Sequence, residues 1–207
     1  MLAESGQPMT VAEITVGLAV DRAVTYRIMR TLAAHRLVVR NRKGEFRLAS
    51  GVLTIAAGVS RDLQAAAAPE LVVLARDLGA TAFVTIEEEG EAVCLAAVEP
   101  PRSHVHIAYR PGLRHALHLG ASGVAVLAGR PPVPGEPAKV TEARRLGYAS
   151  SRGELQPGAE AIAVPVCPDG GPAVGSVAIV ALLGVLDIDT AAPRVMDAAE
   201  EIAGVLG

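Results

Sequence analysis

Tryptophan is absent from this 207-residue sequence, and aromatics of all kinds amount to only 2%. Any core must therefore be assembled from Ala, Val, Leu and Ile, whose modest volumes favour close approach of helices and sheets. Only two cysteines occur, Cys94 and Cys167. Two are too few for a secreted disulfide framework and fit a reducing compartment. They could serve as a redox pair, but two small buried residues on strands is the reading their apolar surroundings favour. No apolar run approaches the roughly 20 residues that cross a bilayer, and Met1 is not followed by a basic and then apolar leader. A soluble, cytoplasmic protein without a membrane partner is expected.

Hydrophobic residues make up 51% of the chain, enough to bury one large core or two modest ones and to make disorder a poor reading. The net charge of −3 conceals an asymmetry. Residues 1–50 hold eight Lys/Arg against four Asp/Glu, whereas the remainder holds 11 against 18. A basic module that meets a polyanion, followed by an acidic module with another task, accounts for that split.

Thr10 and Glu13 form a T-x-x-E capping box that opens a short helix to about Leu18. Asp21 is a second N-cap, starting a helix from Arg22 to about His35. At 100° per residue, Val24, Thr25, Ile28, Met29 and Leu32 fall on one arc, opposite Arg22, Ala23, Tyr26, Arg27 and Arg30. Leu37–Arg40 and Glu45–Leu48 read as strands joined by Asn41-Arg42-Lys43-Gly44, a polar turn with a basic tip. Helix, turn, helix and basic hairpin within 40 residues is the layout of a winged helix-turn-helix, whose second helix enters the major groove.

Beyond Gly51, Val52–Ser60 and Leu63–Leu78 read as helices, with Pro69 interrupting the second and Gly79 closing it. Thr81–Glu87, Glu91–Val98, His104–Tyr109, Ile162–Val166 and Val174–Leu183 read as strands. Helices are expected at Ala121–Ala128, Thr141–Leu146 and Ala191–Val205, and the run from Arg130 to Pro137 as a loop. The class is α+β: a winged helix-turn-helix at 1–50, a linker helix at 51–62, and at 63–207 an antiparallel sheet with helices of the GAF-like sort.

Several segments together resemble the IclR family of transcription factors over nearly the whole chain. They are Glu13 to Met29 (E-I-T-V-G-L-A-V-D-R-A-V-T-Y-R-I-M), Pro111 to Gly123 (P-G-L-R-H-A-L-H-L-G-A-S-G), Gly147 to Ala149, the E-x-x-P-G of Glu154, Pro157 and Gly158, and Ile162 to Val166. The resemblance implies a repressor or activator, dimeric or tetrameric, with an effector-binding C-terminal domain and no cofactor. Three departures stand out. Family members begin with a further helix, of which only Leu2–Ser5 remains, so the native protein is expected to begin upstream. The turn glycine is Ala19, which tolerates φ > 0 poorly, and Ala23 and Val24 replace small hydroxyl residues. Between Gly129 and Gly147 family members have more helix, part of which Pro-rich sequence replaces here.

The expected partners follow. Operator DNA would meet Arg22, Ala23, Tyr26, Arg27 and Arg30 on the recognition helix, with an Arg placed to read guanine and Tyr26 to reach phosphate. Arg42 and Lys43 at the wing tip would meet the backbone or minor groove. By position in the family, the effector wall is Ala121, Ser122, Ser151, Ala161, Ala178 and Val180. Most anchors for small polar acids are missing from it, so the expectation is either an effector with an apolar body, one end held by Ser122 and the amides that open the helix at Ala121, or a sensor that has lost its ligand.

His104, His106, His115 and His118 could on residue type hold a metal, but nothing ties the two pairs together, and His118 has a structural counterpart in the family. Glu87, Glu88, Glu89 and Glu91 read as a solvated turn. An enzyme finds no support: the sequence has no close cysteine pair, nucleophile elbow or phosphate-binding glycine loop. The rival regulatory reading is an effector-binding or oligomerising module whose DNA binding is impaired by the shortened first helix.

Overall fold

The computed structural model describes residues 1–101 and 105–207. It divides into two compact units, Met1–Arg61 and Asp62–Gly207. In the first, α1 (Leu2–Ser5), α2 (Val11–Leu18), α3 (Arg22–Ala34), the hairpin β1 (Val38–Arg40) with β2 (Phe46–Leu48), and α4 (Gly51–Ala56) follow in order. The Thr10 box forms as expected: the Glu13 N–H donates to Thr10 Oγ1 at 3.3 Å and the Thr10 N–H donates to Glu13 Oε2 at 2.7 Å. These contacts satisfy N–H groups that the first helical turn leaves without partners. Val11, Ile14, Met29, Val38 and Phe46 make a small core, against which Leu2, Met9 and Leu32 pack. The 51–62 span expected as a linker holds α4, a turn and the first residues of the next helix, and none of α4 is buried.

The second unit contains α5 (Arg61–Leu78), β3 (Thr81–Glu88), β4 (Glu91–Val98), β5 (Arg114–Ala116), α6 (Gly120–Ala128), α7 (Ala138–Leu146), β6 (Ala149–Arg152), β7 (Ala159–Val166), β8 (Gly175–Leu182) and α8 (Ile188–Leu206). The strands form one antiparallel sheet in the order β5-β4-β3-β8-β7-β6. Side chains alternate across its faces with the period of two that a strand imposes. Ala82, Val84, Ile162, Val164, Val177 and Ile179 turn to one side and pack against α5 and α8. Phe83, Ala163, Ala178 and Val180 turn to the other and pack against α6 and α7. The result is helices, sheet and helices in three layers.

Four expectations are corrected. Pro69 lies inside an unbroken α5, because six buried residues from Leu63 to Ala75 hold the helix on the sheet and offset the missing backbone hydrogen bond. The strand expected at His104–Tyr109 begins outside the described residues, and its described part is not a strand. Residues 112–116 take the place beside β4 instead, and Thr81 Oγ1 donates to the Ile107 carbonyl at 2.6 Å. Strands β5 and β6 were not expected. Ile28, assigned to the packed arc, is 39% exposed.

Candidate DNA interface and effector cavity

Two hydroxyls brace α3 against α2. Thr15 Oγ1 donates to Thr25 Oγ1 at 3.0 Å, and Thr25 Oγ1 donates to the Asp21 carbonyl at 3.2 Å. With Thr25 and Met29 buried beneath, Arg22, Ala23, Tyr26, Arg27 and Arg30 are all exposed on the outer face of α3. The Arg22 guanidinium lies 5.8 Å from the centre of the Tyr26 ring. The turn before this helix is strained as expected: Ala19 sits at φ 52°, ψ 40°, a left-handed conformation that favours glycine.

Asn41 builds the wing tip by accepting at Oδ1 from the Lys43 N–H at 2.9 Å and the Glu45 N–H at 3.0 Å. Gly44 supplies the positive φ of 86°. Arg42 and Lys43 project from that tip, both exposed. The unit therefore presents a cationic helix face and a cationic loop, the pair of features with which such domains meet a groove and its phosphates.

In the C-terminal unit, a cavity of about 290 Å³ opens between the sheet, the start of α6 and the segment after β6. Ala121, Ser122, Ser151, Ala161 and Val180 line it. Ala178, wholly buried, packs in the same apolar cluster without reaching the cavity wall. The wall also holds Phe83, Ile107, Tyr109, His115, Glu154 and Leu155, which sequence reasoning did not assign to it. Glu154 and His115 fall in the E-x-x-P-G and Pro111–Gly123 segments, so their signal was present; Phe83 depends on sheet register and Tyr109 on the course of the chain between β4 and β5, and neither carried one.

The polar groups are mostly engaged with one another. Glu154 Oε2 accepts from the Gly120 N–H at 3.0 Å and from Lys139 Nζ at 2.7 Å. Burial pushes the Glu154 carboxyl up, but these two hydrogen bonds outweigh it and leave the group below the usual carboxylate range. Ser151 Oγ accepts from the Ala121 N–H at 3.0 Å. The Gly120 and Ala121 amides at this helix end are thus already occupied.

His115 Nδ1 lies 3.1 Å from the Ala116 carbonyl and Nε2 lies 3.3 Å from Ser122 Oγ. The neutral tautomer protonated on Nδ1 satisfies both contacts, and burial lowers the ring's pKa in keeping with it. Tyr109 stacks on Phe83 with ring centres 3.9 Å apart, and its buried hydroxyl has no hydrogen-bond partner. Burial raises the pKa of that phenol and pushes the Cys94 thiol up to about 12, so both are neutral.

Of the four histidines considered as metal ligands, His104 lies outside the described residues. His106 pairs with Glu99 at 3.2 Å, and His115 is turned to Ser122. Among the described residues no group of three or more His, Cys, Asp or Glu could hold a metal ion, and no helix is long and apolar enough to cross a membrane.

Residues 1–42 match the family model described as the IclR helix-turn-helix domain. These residues form an IclR helix-turn-helix domain. No curated protein matches the chain. Among solved structures, an IclR transcriptional regulator from Alicyclobacillus acidocaldarius is 23% identical, with a TM-score of 0.83 over 97% of this chain and 91% of that one. The Thermotoga maritima IclR is 22% identical, with a TM-score of 0.79 over 97% and 92%. An IclR homologue from Microbacterium hydrocarbonoxydans, complexed with 4-hydroxybenzoate, is 19% identical, with a TM-score of 0.84 over 96% and 91%. The likeness to these structures is one of fold. The IclR helix-turn-helix here is thus joined to a C-terminal unit folded like that of IclR regulators, and Tyr26 and Arg27 lie on its exposed helix face.

Proposed function

We propose that this chain is a DNA-binding transcriptional regulator that reads operator DNA through α3 and the wing, and whose C-terminal cavity binds a small, largely apolar effector. The carrying observation is the exposed row Arg22, Tyr26, Arg27 and Arg30, set on a helix whose opposite side is anchored by Thr25 and Met29, with Arg42 and Lys43 on a rigid tip in the same unit. In this reading an Arg of the helix pairs with a guanine edge, Tyr26 reaches a phosphate, Ala23 allows close approach to the groove, and the wing supplies sequence-independent attraction. Ala121, Ser122, Ser151, Ala161 and Val180 form the effector wall, with Ala178 supporting it from behind. The protein acts in the cytoplasm as a homodimer or homotetramer and not as an enzyme.

A gel-shift titration with the DNA upstream of its own gene tests the reading. The wild type is expected to retain a specific fragment that the double variant Tyr26→Ala, Arg27→Ala releases. Equal retention by both would refute the assignment. The rival reading, an effector-binding module with impaired DNA binding, draws on α1, which has only four residues, none of them buried. In that case neither protein would retain the fragment.

A further inference from the structure

We infer that the cavity selects an uncharged ligand: an apolar body about the size of one ring, carrying a single hydrogen-bond acceptor such as a ketone or ester carbonyl, with carboxylic acids disfavoured. This rests on the effector reading above and narrows it to a chemical class.

The end of α6 that faces the cavity is where an anion would ordinarily be favoured, because its first N–H groups and the helix dipole point there. In this chain a carboxylate of the protein already sits at that end. Glu154 Oε2 takes the Gly120 N–H, Ser151 Oγ takes the Ala121 N–H, and Lys139 balances the Glu154 charge. A ligand carboxylate would find these donors taken and would meet Glu154 as a like charge. Among the described residues lining the cavity, Arg114 is the one arginine or lysine, and it is held by both Glu88 and Glu91. His115 is satisfied as a neutral ring between Ala116 and Ser122. No unspent positive charge remains on that wall to compensate an acid brought out of water.

One buried donor on this wall lacks a hydrogen-bond partner. Tyr109 is 8% exposed, lines the cavity and has a hydroxyl without a partner. Buried hydroxyls are nearly always paired, because leaving one unmet costs stability. A neutral acceptor on the ligand completes it without introducing a charge. Phe83, stacked on the same ring, and Leu155 and Val180 offer the apolar body its surface. The volume of about 290 Å³ lies at the small end of ligand sites.

Three probes with one aromatic ring separate the possibilities: acetophenone (neutral acceptor), benzoate (anion) and ethylbenzene (no acceptor). Binding is followed on the full chain by NMR of 13C-labelled alanine methyls, with Ala121 and Ala161 reporting from the cavity wall. Acetophenone is expected to move both signals saturably and to bind about tenfold or more tightly than benzoate. Tyr109→Phe should weaken acetophenone about three- to tenfold and leave ethylbenzene unchanged. The variant should melt no lower than the wild type, since the lost hydroxyl had no partner. Benzoate binding as tightly as acetophenone, or Tyr109→Phe leaving acetophenone unaffected, overturns the inference. If benzoate alone moves the two methyls, the cavity remains an effector site and only the neutral class fails. If no probe moves them, both readings fail together.

Discussion

Arg144 grips Glu136 with both ends of its guanidinium, Nη1 to Oε1 at 2.5 Å and Nη2 to Oε2 at 3.0 Å. The same side chain donates from Nε to the Ala128 carbonyl at 3.1 Å and from Nη2 to the Arg130 carbonyl at 3.3 Å. One residue of α7 therefore ties down both the end of α6 and the proline-rich loop that follows it, using the fork geometry that lysine lacks. This pair also makes the clearest pH prediction. The Arg144 guanidinium holds the Glu136 carboxyl down from its ordinary 4.5 to about 2. Because the folded value is the lower one, the stabilisation is complete above the unfolded carboxyl range and fades as pH falls from about 4.5 towards 2. Acid unfolding followed by circular dichroism should show a shallower low-pH limb in Glu136→Gln. Arg144→Lys should be cleaved faster by protease between residues 130 and 137. Identical acid curves for wild type and Glu136→Gln would show that the pair is not coupled to folding.

Ala19→Gly should stabilise the N-terminal unit by about 1 kcal/mol, since an alanine in left-handed conformation carries a steric cost that glycine avoids. The gain is offset in part by the greater freedom of glycine in the unfolded chain. Thermal unfolding of the two proteins decides it, and a lower midpoint in the variant would contradict the strain assigned to this turn.

Gly123 and Gly204 make a contrasting pair. A Cβ on Gly123 would collide with the Leu117 carbonyl, a backbone group that cannot swing aside, whereas a Cβ on Gly204 would meet nothing within 4 Å. Gly123→Ala is expected to cost about 1–3 kcal/mol by overpacking. Gly204→Ala should be neutral or stabilising by less than about 1 kcal/mol, as alanine is the better helix former. Denaturant titrations of both variants measure this, and equal midpoints would mean that the Gly123 contact relaxes freely.

If the wing and helix divide their labour as proposed, Lys43→Ala should weaken every DNA sequence alike and reduce the slope of log affinity against log salt by about one. Arg27→Ala should instead cost about 1–3 kcal/mol, concentrated at one base pair. Fluorescence anisotropy at several salt concentrations, with operator and scrambled duplexes, separates the two. A sequence-selective loss in Lys43→Ala would reverse the roles.

What the sequence disclosed depended on how local the cause was. The Thr10–Glu13 box, the Asn41–Gly44 turn and the alternating faces of β3 and β8 are fixed by neighbours a few residues apart, and each forms where expected. Strands β5 and β6 escaped notice because three and four residues of mixed character become strands only through the register of β4 and β7 beside them. Ile107 and Tyr109 carry a strand's alternation of buried and exposed residues, yet the place beside β4 is filled by the chain that follows. The position-based wall residues gather at the cavity with the exception of Ala178, but nothing local foretells that Glu154 reaches across 34 residues to the Gly120 amide.

The six-stranded sheet runs from its long central strands to its shortest ones, β5 on one side and β6 on the other. Each ends in charge: Arg114 is clasped by Glu88 and Glu91, and Arg152 faces Glu160 at 3.5 Å. A short border studded with arginines is a poor template for a foreign strand. Despite an interior made almost wholly of small aliphatic side chains, the sheet should resist templated growth into fibrils.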